Sequence, residues 1–158
     1  MVVDTSPCTL QLKQALEKHP EYSKLELLDA VDYVDRFVAD KLPLRPQNEH
    51  TMLHPVCSLR KLGLEPALIR LAKRCSQQVS VPISAGCCGY AGDRGLLFPE
   101  LPAAALEDEL QEVTALNATH HCSSSRSCEM GLSLSLNKPF SSILHLLAAN
   151  LTADPETP

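Results

Sequence analysis

The chain has 158 residues, of which 44% are hydrophobic, so it is long enough for one domain with its own apolar core. A formal net charge of -5, with no cluster of Lys and Arg, excludes a surface built to bind nucleic acid. The apolar runs are too short to span a bilayer and no signal peptide precedes them, which predicts a cytoplasmic protein, at most peripheral on the inner membrane.

Short apolar runs and helical patterns alternate from the amino terminus onwards. Val2 and Val3 predict a short strand with Cys8 in the loop at its carboxyl end. A strand at the first residue indicates a piece of a longer protein. Leucines at helical spacing predict a helix over 9–19.

A second helix is predicted after Ser23, which stands three residues before Glu26 as in a capping box. Prolines make 42–49 a loop. The apolar run 51–56 then predicts a strand that delivers Cys57 at its carboxyl end.

The middle of the chain repeats this alternation. A helix is predicted over 64–74 and a strand over 79–84, which runs directly into a glycine-rich loop at 85–95. The next helix opens at Pro102 and should keep its acidic residues in solvent, namely Glu107, Asp108 and Glu109. Its inward face should hold Ala103, Leu106, Leu110 and Val113.

The last third contains a weak strand at 117–121 and a serine-rich loop that carries Cys122 and Cys128. Helices are predicted over 129–136 and 140–150. The remaining residues, 152–158, are expected to be a disordered tail.

This alternation predicts an α/β fold with an about four-stranded, mainly parallel sheet and helices on both faces. In such sheets ligands lie at the carboxyl ends of the strands. Six of the seven cysteines fall at or one loop beyond a predicted strand end, namely Cys8, Cys57, Cys87, Cys88, Cys122 and Cys128. In an intracellular chain cysteines placed in this way predict a shared metal site.

The loop at 85–95 holds two adjacent cysteines and four of the six glycines of the chain. Adjacent Cα atoms lie about 3.8 Å apart, less than the roughly 4.4 to 6.8 Å of a relaxed disulfide, so Cys87 and Cys88 are poor partners for each other. Glycines at this density indicate a backbone that wraps closely around something. Two thiolates in such a loop can bind an iron-sulfur cluster or zinc.

Three functions remain open on these residues alone. The first is electron transfer by an iron-sulfur cluster. The second is a structural zinc module with four thiolate ligands, Cys57, Cys87, Cys88 and Cys128. The third is thiol-disulfide exchange, in which Cys87 or Cys88 reacts with Cys122 or Cys128.

Several neighbouring residues have two interpretations each. Asp93 and Arg94 either pair with each other and brace the loop, or Arg94 offsets the charge of a bound group. The histidines near the cysteines are either structural or metal ligands, namely His54, His120 and His121. The serines of 123–127 form either a hydrogen-bonded turn or a phosphate-binding loop.

The cysteine spacing resembles that of the cysteine-rich CCG domain, which is found in heterodisulfide reductases and in the iron-sulfur component of glycolate oxidase. The motifs are Cys57, Cys87-Cys88-Gly89 and Ser125-Arg126-Ser127-Cys128. The final Cys-x-x-Cys of the family is Ser125-x-x-Cys128 here. The resemblance implies a 4Fe-4S type cluster on Cys57, Cys87, Cys88 and Cys128, with Cys8 or Cys122 as substitute ligands. It also implies contacts to the cluster from the loop, at Gly86, Gly89, Gly92 and Arg94.

A closer resemblance is to the carboxyl-terminal segment of FAD-dependent, iron-sulfur-containing D-lactate dehydrogenases. It is carried by Asp4-Thr5-Ser6-Pro7-Cys8, His54-Pro55-Val56-Cys57, the stretch 85–99 and the stretch 124–133. It implies a single CCG-type domain over 1–151, as a fragment of a larger flavoprotein oxidoreductase. The FAD and ferredoxin-like domains of that parent would supply electrons, and a quinone or cytochrome would accept them. The chain itself has no dinucleotide-binding fingerprint.

Overall fold

The computed structural model describes residues 1–151, so the predicted tail at 152–158 lies outside the described residues. The strands in chain order are β1 (Val2–Val3), β2 (Leu28–Asp29), β3 (Gln47–Leu53), β4 (Ser76–Ser80), β5 (His120–Ser123) and β6 (Phe140–Ser142). The α-helices are α1 (Ser6–Leu16), α2 (Ala30–Tyr33), α3 (Cys57–Lys61), α4 (Glu65–Lys73), α5 (Arg94–Leu97), α6 (Glu100–Ala105), α7 (Glu107–Leu116), α8 (Arg126–Leu136) and α9 (Ile143–Ala149).

A four-stranded, all-parallel sheet in the order β4-β3-β5-β6 forms the centre of the molecule. The central strand β3 ends in Met52 and Leu53, which are fully buried. Leu68 and Leu71 of α4 and Leu132 of α8 belong to the same apolar cluster. The predicted α/β class with a parallel sheet is confirmed.

The four strands are not the four that the sequence predicted. The strand β1 pairs with β2 in a separate two-stranded sheet, with Val2 opposite Leu28. The fourth place in the main sheet is taken by β6, in a segment predicted as the start of a helix. Phe140 is buried there and pairs with His121. A strand of three residues has too little periodicity to be distinguished from a helix start.

The predicted capping box at Ser23 is wrong. The N-cap is Asp29, whose side chain accepts a hydrogen bond from the backbone N–H of Val31 at 3.0 Å. Thr9 donates to the other Asp29 oxygen at 3.1 Å, which holds α1 against this cap. After α2 the chain continues as a π-helix at Val34–Val38 and a 3₁₀-helix at Ala39–Lys41.

Three strands lie away from their predicted positions. The strand β3 begins at Gln47, within the segment predicted as a loop, and ends at Leu53 instead of at residue 56. The strand β4 ends at Ser80 rather than running into the loop, so an irregular segment separates it from Cys87. Asn117 has a left-handed conformation (φ 44°) that ends α7, so β5 begins only at His120. Cys122 therefore lies within a strand.

Helix boundaries differ as well. The helix α1 begins at Ser6, so Cys8 lies in its first turn instead of in a loop. The helix expected from Pro102 onward is two helices, α6 and α7, separated at Leu106. Within residues 1–151, every helix falls short of the length and apolarity that a membrane span requires.

Candidate cysteine site

Four cysteines from three distant segments line one pocket of about 320 Å³. Cys57 begins α3, which follows β3, and Cys128 lies in the first turn of α8, which follows β5. Cys87 and Cys88 come from the loop that follows β4. All three strands are parallel, so their carboxyl ends meet at one edge of the sheet and bring these residues together.

The four thiols form two pairs with different exposure. Cys88 and Cys128, here called the inner pair, are buried, and their Sγ atoms lie 3.0 Å apart. Cys57 and Cys87, here called the outer pair, are exposed. The pocket therefore has a sulfur-lined floor and two further thiols within reach of solvent.

The two thiols of the inner pair shift each other's pKa in opposite directions. The hydrogen bond that the two thiols share lowers the pKa of Cys88, and interactions with the backbone of Tyr90 and of Cys88 itself act in the same direction. The same hydrogen bond, followed by burial, raises the pKa of Cys128. Of the two thiols, Cys88 is the one whose ionisation these surroundings favour.

In the outer pair, burial and the neighbouring Cys87 thiol raise the pKa of Cys57. Two neighbouring thiolates repel each other, which makes it harder for both thiols to ionise. A cation bound to both sulfurs offsets this repulsion. Lys61, an exposed residue of α3, also lines the pocket.

The other three cysteines lie outside the residues that line this pocket in the described part of the chain. Cys8 is exposed on α1. Cys75 follows α4 and is fully buried, and burial raises its pKa to about 11. Cys122 of β5 is also fully buried, with its Sγ 3.9 Å from Ser141 Oγ, and burial raises its pKa to about 12.

Two glycines of the glycine-rich loop, Gly89 and Gly95, lie close to other residues of the same protein. Tyr90 is buried, and its ring lies against both Gly95 of α5 and Gly131 of α8. A Cβ atom on Gly131 would lie 2.6 Å from Tyr90 Cδ2. Gly89 has φ +69°, and a Cβ there would lie 2.8 Å from the carbonyl oxygen of Leu101. The wrapping inferred from the glycines is thus explained by Tyr90 and α6.

Of the loop residues predicted to contact a cofactor, one lines the cysteine pocket and the others do not. Gly92 lines the cysteine pocket and has open space around it. Gly86 is only half-buried, and Arg94 is exposed at the start of α5. Among the ion pairs of residues 1–151, none joins Asp93 to Arg94.

Two side-chain contacts hold the ends of the loop in place. Arg60 of α3 donates to the carbonyl oxygen of Ala85 and pairs with Glu65 at 3.1 Å. Glu112 of α7 accepts from the backbone N–H groups of Ile83 at 2.7 Å and Ser84 at 2.9 Å. The helix that begins with Cys57 is thereby fixed relative to Cys87.

A buried histidine and glutamate beside the site were not paired by the sequence analysis. His54 Nδ1 lies 2.8 and 3.0 Å from the two carboxylate oxygens of Glu109, and both side chains are almost completely buried. Glu109 was expected in solvent, and Leu110 and Ala103, expected inside, are exposed instead. Leu106 and Val113 are buried as predicted. No local pattern distinguishes Glu109 from its acidic neighbours, because its partner is 55 residues away.

None of the three histidines is among the residues 1–151 that line the cysteine pocket. His120 Nε2 bonds to Glu49 at 2.6 Å. His121 is buried with its ring 5.5 Å from that of Phe140, and burial lowers its pKa.

The four thiols of the pocket are donors that both zinc and iron-sulfur clusters take. Within residues 1–151, no three Cys, His, Asp or Glu side chains are arranged to hold one metal ion. Zn–S bonds of about 2.3 Å require all ligand sulfurs to lie within roughly 4.6 Å of one another. Iron-sulfur clusters take one thiolate per iron, so their ligands need not meet at one point. Cys57, Cys87, Cys88 and Cys128 match such a cluster in the number and the kind of their donor atoms.

Comparison of the sequence with models of known protein families gives no match, and comparison with curated proteins gives no relative. The chemistry of the pocket therefore has to follow from its own residues. These are four thiols, one nearby lysine and a largely buried floor.

Proposed function

We propose that this chain is an electron-transfer domain that binds an iron-sulfur cluster in the cysteine pocket. The supporting observation is the convergence of Cys57, Cys87, Cys88 and Cys128 from three segments into one pocket. Packing alone gives no reason for four thiols to gather at the ligand-binding edge of a parallel sheet. Thiolates in this number are the usual ligands of such clusters.

Each group of the pocket has a distinct part in this proposal. Cys88 and Cys128 bind at the buried floor, where a low dielectric strengthens electrostatic interactions. Cys57 and Cys87 bind at the exposed mouth, from which an electron can leave. Lys61 offsets part of the negative charge of the thiolates. The cluster, when bound, accepts and releases single electrons.

The wider role follows from the resemblance to FAD-dependent D-lactate dehydrogenases. In this proposal the chain relays electrons from the flavin of a parent enzyme, through ferredoxin-like domains, to a quinone or cytochrome. Oxidation of the 2-hydroxy acid takes place in the flavin domain. The residues of this chain hold the cluster and take no part in that reaction.

The test is anaerobic reconstitution of the chain with ferrous iron and sulfide, followed by measurement of iron, labile sulfide and visible absorption. Cys88→Ser and Cys57→Ser should lose iron, because each removes one thiolate from the pocket. Cys75→Ala is the matched control, since Cys75 lies in the core outside the pocket, and it should retain iron.

Two results would contradict the proposal. One is a colourless reduced protein that binds no iron but takes up zinc stoichiometrically, which would favour the structural zinc module. The other is equal loss of iron in all three variants, with circular dichroism showing that each is folded. In that case iron binding would not depend on the pocket.

A further inference from the structure

We propose that the inner pair, Cys88 and Cys128, is also a site of oxidation by hydroperoxides, which convert it into a disulfide. The reaction belongs to the metal-free protein. Its consequence, that the disulfide prevents cluster assembly, rests on the proposed function; the disulfide itself does not.

The main observation is the distance between the two sulfurs. Cys88 Sγ and Cys128 Sγ lie 3.0 Å apart although 40 residues separate them in the chain. A disulfide has an S–S distance of about 2.0 Å, so closure needs a movement of about 1 Å. The inner pair is therefore close to bonding distance before any oxidant arrives.

The two sulfurs are held by elements that cannot easily separate. Cys128 is in the first turn of α8, and the ring of Tyr90, two residues after Cys88, lies against Gly131 of the same helix. The loop and α8 are therefore packed together next to the inner pair. A pair kept in contact in this way can close without rearrangement of the fold.

A small oxidant can reach the inner pair more easily than a bulky one. Cys88 and Cys128 are 4% and 8% exposed, at the floor of a pocket of about 320 Å³. Hydrogen peroxide can enter such a pocket, whereas a bulky aromatic disulfide reagent meets the exposed outer pair first. Peroxide should therefore reach Cys88 without prior unfolding.

Formation of the disulfide consumes one molecule of hydrogen peroxide. The sulfur of Cys88, as the thiolate, attacks a peroxide oxygen while Cys128 Sγ lies 3.0 Å away. The O–O bond breaks, Cys88 becomes a sulfenic acid, and the leaving hydroxide takes a proton to give water. The Cys128 sulfur then attacks Cys88 Sγ, which forms the S–S bond and releases a second water. Two thiols and one peroxide give one disulfide and two waters, a two-electron oxidation of sulfur.

This disulfide removes two of the four thiolates of the pocket. The proposed cluster cannot then assemble until a dithiol reductant restores both thiols. The inner pair would thus make loading of the site depend on the redox state of its surroundings.

The experiment treats the metal-free full chain with one equivalent of hydrogen peroxide, blocks free thiols with iodoacetamide, and maps linkages by mass spectrometry without reduction. We expect one dominant linkage, between the peptides of Cys88 and Cys128, with loss of two hydrogen atoms. In Cys128→Ser the sulfenic acid at Cys88 should persist and react with dimedone. Cys8→Ser, changed at an exposed position outside the pocket, should give the wild-type linkage.

A mixture of linkages, a dominant Cys57–Cys87 linkage, or no linkage would overturn the proposal. These outcomes are measured on the wild-type chain, so they do not depend on whether a variant folds. Dimedone labelling of Cys8 in preference to Cys88 in Cys128→Ser would also overturn it.

Iron uptake then separates this proposal from the one on which it rests. Oxidised protein should take up iron at least about tenfold more slowly than reduced protein, because two cluster ligands are lost. Equal uptake by both forms would overturn the blocking role. Formation of the disulfide in a protein that binds no iron even when reduced would instead overturn the iron-sulfur proposal, while supporting the redox pair.

Discussion

At the scale of the residue, the cysteines of this chain differ in chemistry because they differ in surroundings. Hydrogen bonding around Cys88 lowers its pKa, whereas burial raises the pKa of Cys75 to about 11. The thiolate is the reactive and metal-binding form. Cys75 is accordingly a packing residue, and the surroundings of Cys88 favour its thiolate form.

Burial of Cys75 predicts a loss of stability at high pH. The ordinary thiol pKa of 9.0 is raised to about 11 in the folded chain, so the unfolded chain loses this proton first. The contribution of Cys75 is fully present below about pH 9 and is lost as the pH rises towards about 11. The difference in unfolding free energy between wild type and Cys75→Ala, measured in urea, should therefore shrink between pH 8 and pH 10.5.

Cys8→Ala provides the comparison at an exposed thiol. Urea denaturation of this variant over the same pH range measures the part of the change that does not come from burial of Cys75. A constant difference for Cys75→Ala would contradict the role assigned to burial.

At the scale of the element, the cysteine loop and α8 are joined through an aromatic ring. The ring of Tyr90 occupies the space that a side chain at Gly131 would need. Gly131 also lies one turn after Cys128 on α8. The contact between the ring and the helix therefore sets the spacing of the inner pair.

Gly131→Ala should destabilise the protein by about 1–3 kcal/mol, because the added methyl group overpacks against Tyr90. In a Tyr90→Ala background the clash is absent, and the better helix propensity of alanine should make the same change neutral or stabilising by up to about 1 kcal/mol. Urea denaturation of the four proteins of this double-mutant cycle measures the difference.

Additive effects of the two substitutions would show that the ring and the helix are not in contact. The cycle includes its own control, since each single variant is compared with wild type and with the double variant.

At the scale of the whole molecule, a buried polar pair joins the central sheet to the helix α7. His54 follows β3 directly, and its backbone N–H donates to the carbonyl oxygen of Cys122 at 2.9 Å. Its ring bonds to Glu109 at 2.8 Å. Ser123 Oγ donates to the carbonyl oxygen of His54 at 2.8 Å. These contacts fix the edge of the sheet from which Cys57 and Cys128 emerge.

Glu109→Ala should lower the unfolding free energy by about 3 kcal/mol or more, because it leaves the buried His54 side chain without its partner. Glu109→Gln should lower it less, since the amide oxygen can still accept from Nδ1. Both values come from urea denaturation at neutral pH.

Glu107→Ala is the matched control, in the same turn of α7 but exposed, and should change stability by less than about 0.5 kcal/mol. Equal effects at Glu107 and Glu109 would contradict the structural role of the buried pair.

The sequence alone determined the α/β class, because alternation of short apolar runs with helical periodicity is a local property of the chain. It also predicted that the six cysteines at or beyond strand ends would share one site, since parallel strands bring their carboxyl ends to one edge, and four of these six line the pocket.

Only the tertiary structure decided which strands form the main sheet, where Cys8 and Cys122 lie, and that Glu109 is buried. Phe140 pairs with His121, Val2 with Leu28, and Glu109 with His54. Each of these depends on a partner far along the chain, and neither a three-residue strand nor a single acidic residue carries a local signal of that partner.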